Sequence, residues 1–366
     1  MFARLLGGSL SDKYGASRPM GIALIVASIA TALTSLVTTG PGLSTCRFIS
    51  GIGGGTLIIS QAWVAAIFSK NIIGTAMGLV LGIGYTGNGF GISFLGSALL
   101  PALTASIGEH KAWQVSLIIT GIVGLLAALM ALFLADDTPQ IKYYTKTDNQ
   151  SKQGTTSILS KAKAGSLIQA SKHYGTWILA FQYAMSSGTN SALLNIGTLH
   201  FVSEGATSKG ASAITSAVGW LGLTCFMGGL LSDRANKKMG KLRGRYLVQL
   251  GHLGMEGILL IIFPFVRNFV GSVFIFITAS MMATFAVGST SALVPYVDKE
   301  VVGSVAGIVG MSGGLGGIFL ITLTSYLDYT LASVICGSSV LLSAFLALLL
   351  QLDGKEINHT EEGEDV

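Results

Sequence analysis

The sequence predicts an all-α membrane protein built from two related halves, on three observations. Hydrophobic residues make up 51% of the 366 positions and charged residues only 11%, against about 25% charged in soluble domains; the mean hydropathy is +0.67. Apolar stretches long enough to cross a bilayer recur near 19–39, 43–68, 73–105, 113–135, 174–202, 211–231, 246–266, 270–296, 301–327 and 330–351, after a partial span at 1–10. Finally, Arg4-Leu5-Leu6-Gly7-Gly8-Ser9-Leu10-Ser11-Asp12 returns as Cys225-Phe226-Met227-Gly228-Gly229-Leu230-Leu231-Ser232-Asp233, the mark of an internal duplication.

Each element follows from local chemistry. The backbone in lipid must satisfy its own hydrogen bonds, so each apolar run is read as a helix. Glycine, at 49 residues, is about twice its usual share of roughly 7%, which lets membrane helices pack closely. With 1–10 running inward, Lys13, Arg18, Lys70, Lys299, Lys355, six lysines between 142 and 172 and six basic residues between 234 and 245 fall on one side. Only Lys111, Lys209 and Arg267 fall on the other. Seventeen against three assigns the first side to the cytoplasm. The formal charge of +5 thus reflects topology and is no nucleic-acid signal.

The polar stretch 137–172 separates an amino-terminal bundle (1–136) from a carboxy-terminal bundle (173–352) and reads as a cytoplasmic linker. Residues 353–366 form an acidic, polar tail on the same side. Cys46, Cys225 and Cys336 stand singly in apolar spans, without metal or disulfide spacing, and no cofactor motif is present. The glycine runs at 51–55, 82–91 and 310–317 are not phosphate loops, since no Gly-Lys-Ser/Thr follows. The first half counts one helix fewer than the second. Either a further helix precedes Met1 or the protein works without it.

Several motifs resemble a known family. Gly8-Ser9-Leu10-Ser11-Asp12-Lys13-Tyr14-Gly15 is similar to the loop between helices 2 and 3 of the major facilitator superfamily, which has two six-helix bundles and alternating access to a central site. Within it, Arg47-Phe48, Gln61-Ala62-Trp63, Gly84-Tyr85-Thr86-Gly87-Asn88-Gly89-Phe90-Gly91, Asp136-Asp137-Thr138-Pro139, Gln182-Tyr183, Glu256-Gly257 and Gly307 to Gly317 resemble the nitrate/nitrite porters. The resemblance implies about 11 of 12 transmembrane helices and a secondary carrier of a small anion, nitrate or nitrite, coupled in eukaryotic members to protons. In that family helices 2 and 8 each present an arginine that grips the anion. Here Arg4 holds the first place and Cys225 the second. The helix 11 signature usually contains an asparagine, and Gly310-Met311-Ser312-Gly313-Gly314 has none.

The residues carry this chemistry on their own terms. An arginine at membrane depth costs roughly 2.5–3.5 kcal/mol on insertion scales and normally faces a bundle interior or water. Its planar fork of donors suits a flat oxyanion. Substrate contacts are therefore expected from Arg4, Asn88, Gly87, Gly89, Tyr183, Cys225, Gly313 and Gly314, the glycines by close packing or by opening backbone to the ligand. Arg4 has the alternative of snorkelling at a membrane surface. Gating or coupling is expected from Asp12, Arg47, Asp233, His252 and Glu256. The aspartates would cap or cross-link neighbouring helices, and Arg47 either couples the halves or sits at the outer interface. His252 and Glu256, four apart on one helix face, make either a proton relay or an internal hydrogen bond.

The reading is a multi-pass carrier in the lipid bilayer of the plasma membrane, monomeric, for nitrate or nitrite with protons, and not an enzyme. Two alternatives stay open: a diverged carrier of another small solute, or a non-transporting sensor or remnant.

Overall fold

The computed structural model describes residues 1–69, 71–135, 166–240 and 242–350, and every regular element among them is helical. The helices are α1 Phe2–Tyr14, α2 Ser17–Thr34, α3 Gly40–Ser50, α4 Thr56–Ile67, α5 Ile73–Phe90, α6 Leu100–Ile107, α7 Glu109–Phe133, α8 Ser166–Lys172, α9 Tyr174–Ser203, α10 Ser208–Trp220, α11 Cys225–Met239, α12 Arg243–Ile262, α13 Phe269–Ser291, α14 Val302–Tyr326 and α15 Tyr329–Leu346.

Three crossings are broken in the middle. A 3-10 turn over Gly51–Gly55 joins α3 to α4, a π segment over Gly91–Leu99 joins α5 to α6, and a 3-10 turn over Leu221–Thr224 joins α10 to α11. Such interruptions let a helix bend where its ladder changes register. The apolar run 211–231 continues as helix to Met239, carrying Arg234, Lys237 and Lys238 out of the membrane span. The linker up to residue 165 and the tail 353–366 lie outside the described residues, while Ser166–Lys172, at the linker's end, is helical.

Nine stretches among the described residues are long and apolar enough to cross a membrane. The helix α9 is not one of them, yet it buries Thr176, Gln182, Ser186, Ser187, Thr189 and Asn190 along with its apolar residues. Its polar side chains point into protein, so hydropathy understates its depth.

In the first half α2 packs on α7, and α1 and α5 on α4; in the second, α9 packs along α14 and α12 on α15. The halves meet chiefly where α1 lies on α14 and α5 on α11, with α4 also against α14 and α5 against α10 and α13.

The helix starts differ between the two ends. At the end carrying Lys111, Lys209 and Arg267, four helices begin with their own caps, Thr39, Thr207, Asn268 and Asp328 each accepting from a backbone N–H of the first turn, while α7 follows Gly108 without a side-chain cap. At the opposite, basic end, α5 and α14 start behind Ile72 and Val301, which offer no side-chain cap. Their orphan N–H groups are satisfied by the other half.

Candidate functional site

The duplicated motif performs the same task twice. Asp12 of α1 accepts from Gly303 N (2.8 Å), Ser304 N (2.7 Å) and Ser304 Oγ (2.7 Å) at the start of α14. Asp233 of α11 accepts from Gly74 N (3.1 Å), Thr75 N (2.6 Å) and Thr75 Oγ1 (2.7 Å) at the start of α5. Each carboxylate thus meets the positive end of a helix in the opposite half.

The paired glycines explain the approach that makes this possible. A Cβ on Gly8 would lie 1.9 Å from Gly303 O, and one on Gly229 would lie 1.9 Å from Gly74 O. The first glycine of each pair faces its own half: Gly7 meets Gly55 O at 3.2 Å, and Gly228 meets Phe285 O at 2.0 Å. One glycine admits the helix across the crossing and the other its neighbour in the same half.

The two locks differ in one respect. Asp233 also pairs with Arg245 at 2.8 Å. Arg245 is 1% exposed, donates to Ser232 Oγ at 3.2 Å and Tyr296 Oη at 3.3 Å, and lies over the Tyr296 ring. Arg18, which follows the first motif, is exposed.

Deeper along the same crossings lies a polar cluster. Arg4 donates from Nη1 to Gly310 O at 2.9 Å, which fixes the guanidinium against α14. Tyr85 Oη lies 3.0 Å from Tyr183 Oη and 3.1 Å from Ser187 Oγ, joining α5 to α9. Gly310, which holds Arg4, lies one turn from Gly313, against which Tyr183 rests. Gly313 lets the Tyr183 ring lie on α14, since a Cβ there would be 2.7 Å from the ring and 2.9 Å from Ser187 Oγ. Gly314 faces Met1. Cys225 shares a buried cluster with Ile58, Leu81, Tyr183 and Val287. It is wedged between α5 and α13: Cβ atoms on Gly78 and Gly288 would lie 2.7 and 2.0 Å from its carbonyl oxygen. Arg4, Tyr183, Cys225 and Gly313 are therefore brought together. Arginine and hydroxyl donors in a largely apolar setting are what binds an oxyanion.

Other candidates are placed elsewhere. Gly87 and Asn88 are exposed, with nothing near a Cβ on Gly87, and Gly89 packs on the backbone of Gly219 and Trp220. Arg47 is exposed on α3, a helix that buries none of its residues.

His252 and Glu256 lie inside the second half, on a face of α12 that also carries Arg245 and Gln249. All four are buried, at a spacing that keeps them in line. His252 Nδ1 lies 3.2 Å from Ser289 Oγ, and Ser289 donates to Gln249 Oε1. Gln249 donates to Thr290 Oγ1 at 2.6 Å. Glu256 does not bond to His252; the Thr189 hydroxyl faces it, and neither carboxylate oxygen closes a hydrogen bond.

Sequence reading missed three partners. Arg245 counts as a loop charge until its register with Gln249, His252 and Glu256 is noticed; that helical stripe was the available signal. Ser187 carried no signal of its own, because hydroxyls are common in apolar helices, and Tyr85 stands in the Gly84–Gly91 motif, where Asn88 drew the assignment instead.

Comparison with known proteins agrees with this architecture. A family model described as Major Facilitator Superfamily matches residues 1–321. The chain is 28% identical over 336 residues to the high affinity nitrate transporter 2.7 of Arabidopsis thaliana, covering 87% of this chain and 66% of that protein. It is 26% identical to the high-affinity nitrate transporter 2.3 of Oryza sativa subsp. japonica, covering 90% and 62%, so it spans somewhat less than two thirds of these relatives. It is 23% identical to the nitrate/nitrite transporter NrtP of Nostoc punctiforme, covering 94% and 81%. The fold matches the proton:xylose symporter XylE with a TM-score of 0.68 at 15% identity over 95% of this chain and 84% of that one. It matches the human organic anion transporter MFSD10 with 0.65 at 16%, over 94% and 80%. Two helical halves joined by reciprocal aspartate caps, with a polar cluster on the crossings and a family match over most of the length, make this chain a member of the Major Facilitator Superfamily.

Proposed function

We propose that this chain carries nitrate or nitrite across a membrane by alternating access, with protons as the coupling ion. The observation that carries the reading is Arg4: a guanidinium fixed on Gly310 O beside the linked hydroxyls of Tyr85, Tyr183 and Ser187. Such a group offers directed N–H and O–H donors to a flat oxyanion. The names of the relatives support the substrate class.

The reading assigns residues 1–136 and 173–352 to two bundles that rock about the cluster, with 137–172 as their linker and 353–366 as the tail. The excess of basic residues supports a cytoplasmic basic end; the Asp12 and Asp233 caps then hold that side shut. The protein acts as a monomer in the plasma membrane.

A second reading has one specific support. Cys225 stands where the family carries an arginine, and a thiol supplies neither charge nor strong donors. A solute needing a single cationic contact would suit the site as well. Uptake of labelled nitrate and nitrite, with neutral solutes as controls, separates the two. Saturable nitrate uptake that Arg4→Lys removes supports the first; uptake of a neutral solute alone overturns it.

A further inference from the structure

Glu256 has no role in the anion cluster, and its setting is unusual. It is 0% exposed with both carboxylate oxygens unpartnered. Of the helices packed on α12, α9, α13 and α15 contain no Asp, Glu, Lys or Arg, while α11 carries Asp233, paired with Arg245, and Arg234, Lys237 and Lys238 toward the basic end. The titratable groups toward it are His252 on its own helix and Cys336 and Tyr329 on α15. A buried carboxylate without a counter-charge is costly in its ionised form.

Thr189, whose hydroxyl faces Glu256, also lines a small cavity. It measures about 30 Å³ and is lined by Thr189, Leu260, Leu320, Tyr329, Ser333 and Cys336, room for one or two waters. Thr189 Oγ1 and Tyr329 Oη are buried and unpartnered, so the lining offers polar atoms that water would satisfy. At the outer end His200 stacks on Tyr329, ring centroids 4.6 Å apart, and its Nε2 lies 3.3 Å from Glu204 Oε1, which is partly exposed. On the inner side follow His252, Ser289 and Gln249, then the Arg245–Asp233 pair. Polar groups thus run through the second half from one face to the other. They pass on the opposite side of α9 from Tyr183 and Ser187, which face Tyr85.

We infer that Glu256 is a proton-binding site inside the carboxy-terminal half, reached through the Thr189–Tyr329 cavity from the His200–Glu204 end and separate from the Arg4–Tyr183 cluster. The step is a simple protonation: the carboxylate takes up a proton from the outer solution, passed through the cavity, to give the neutral acid, and releases it to the solution on the other side when that half is opened toward the other face. The shared helix α9, with Thr189 toward the carboxylate and Tyr183 toward the anion cluster, connects the two events. The role in coupling rests on the carrier reading above; proton binding itself does not.

Two measurements on the purified full chain in liposomes test this. Infrared difference spectra without any anion should show a protonated-carboxyl band that titrates with pH and is absent in Glu256→Gln. With nitrate as probe, Glu256→Gln should lose accumulation driven by a pH gradient while exchange between equal nitrate pools continues. Should Glu256→Gln fold poorly, Thr189→Val keeps the carboxylate and should slow its titration by removing the facing hydroxyl. A carboxyl band that never changes, or gradient-driven accumulation in Glu256→Gln equal to wild type, overturns the inference. A titrating band in a wild-type protein that moves no nitrate supports the proton site and refutes the substrate reading instead.

Discussion

Neutralising the two capping aspartates should open the basic end unequally. In Asp12→Asn the amide oxygen can still accept one N–H from the start of α14, but the charge is gone from contacts at 2.7–2.8 Å with Gly303 and Ser304. A hydrogen bond to a charged group is worth roughly 1.5–3 kcal/mol against 0.5–1.5 for a neutral one, and the charge at a helix start adds up to ~2 kcal/mol. The loss is about 2–3 kcal/mol, a shift of about 30- to 150-fold toward the open state. Asp233→Asn loses equivalent contacts with α5 and also strands Arg245, 1% exposed. Breaking a buried pair by removing one partner costs about 3–5 kcal/mol, so the second lock should open by roughly a further 5- to 30-fold. Spin-label distances report this across each crossing, between positions 14 and 300 for the first and 71 and 237 for the second. Removing the stranded cation with Arg245→Met in the Asp233→Asn background should recover part of the difference. Equal opening in both single variants, or no recovery in the double, would refute the role given to Arg245.

Other outcomes follow from the same geometry. Arg4→Lys should reach the membrane in normal amounts yet lose nitrate uptake at least about tenfold, because a point charge cannot reproduce the fork; uptake and surface labelling together check this. Gly8→Ala and Gly229→Ala force a Cβ to 1.9 Å from a carbonyl oxygen and should destabilise by about 1–3 kcal/mol, whereas Gly87→Ala, with open space, should be neutral or gain up to about 1 kcal/mol. Thermal unfolding in detergent distinguishes them, and equal losses at all three sites would contradict the packing. Cys225, fully buried here, should resist an impermeant thiol reagent until Asp233→Asn loosens the crossing. In Cys225→Arg a nitrate-shaped site should bind nitrate about 10- to 150-fold more tightly, the worth of one charge-assisted bond. An unchanged affinity would remove Cys225 from the site.

The sequence alone determined the class, the spans and the duplication, because hydropathy and repeated motifs are local properties of the chain. It also marked Asp12 and Asp233 as paired features, and Arg4 as a cation that needs a polar partner inside the membrane. The apolar starts of α5 and α14 at Ile72 and Val301 even carry the sign that their caps must come from elsewhere. What covers them was decided only by tertiary structure: Asp12 meets residues 291 and 292 positions away, and no periodicity encodes a contact at such separation. The same holds for Asn88, which sits in a motif similar to the nitrate signature yet is exposed, while Tyr85 three residues earlier turns inward to Tyr183. A helix face is chosen by what packs against it, so the motif alone could not say which side chain would enter the cluster. Glu256 is the clearest case. Its spacing from His252 suggested a bonded pair, but α9 supplies the facing hydroxyl and leaves the carboxylate unpartnered, a condition set by the neighbours it lacks and therefore invisible along the chain.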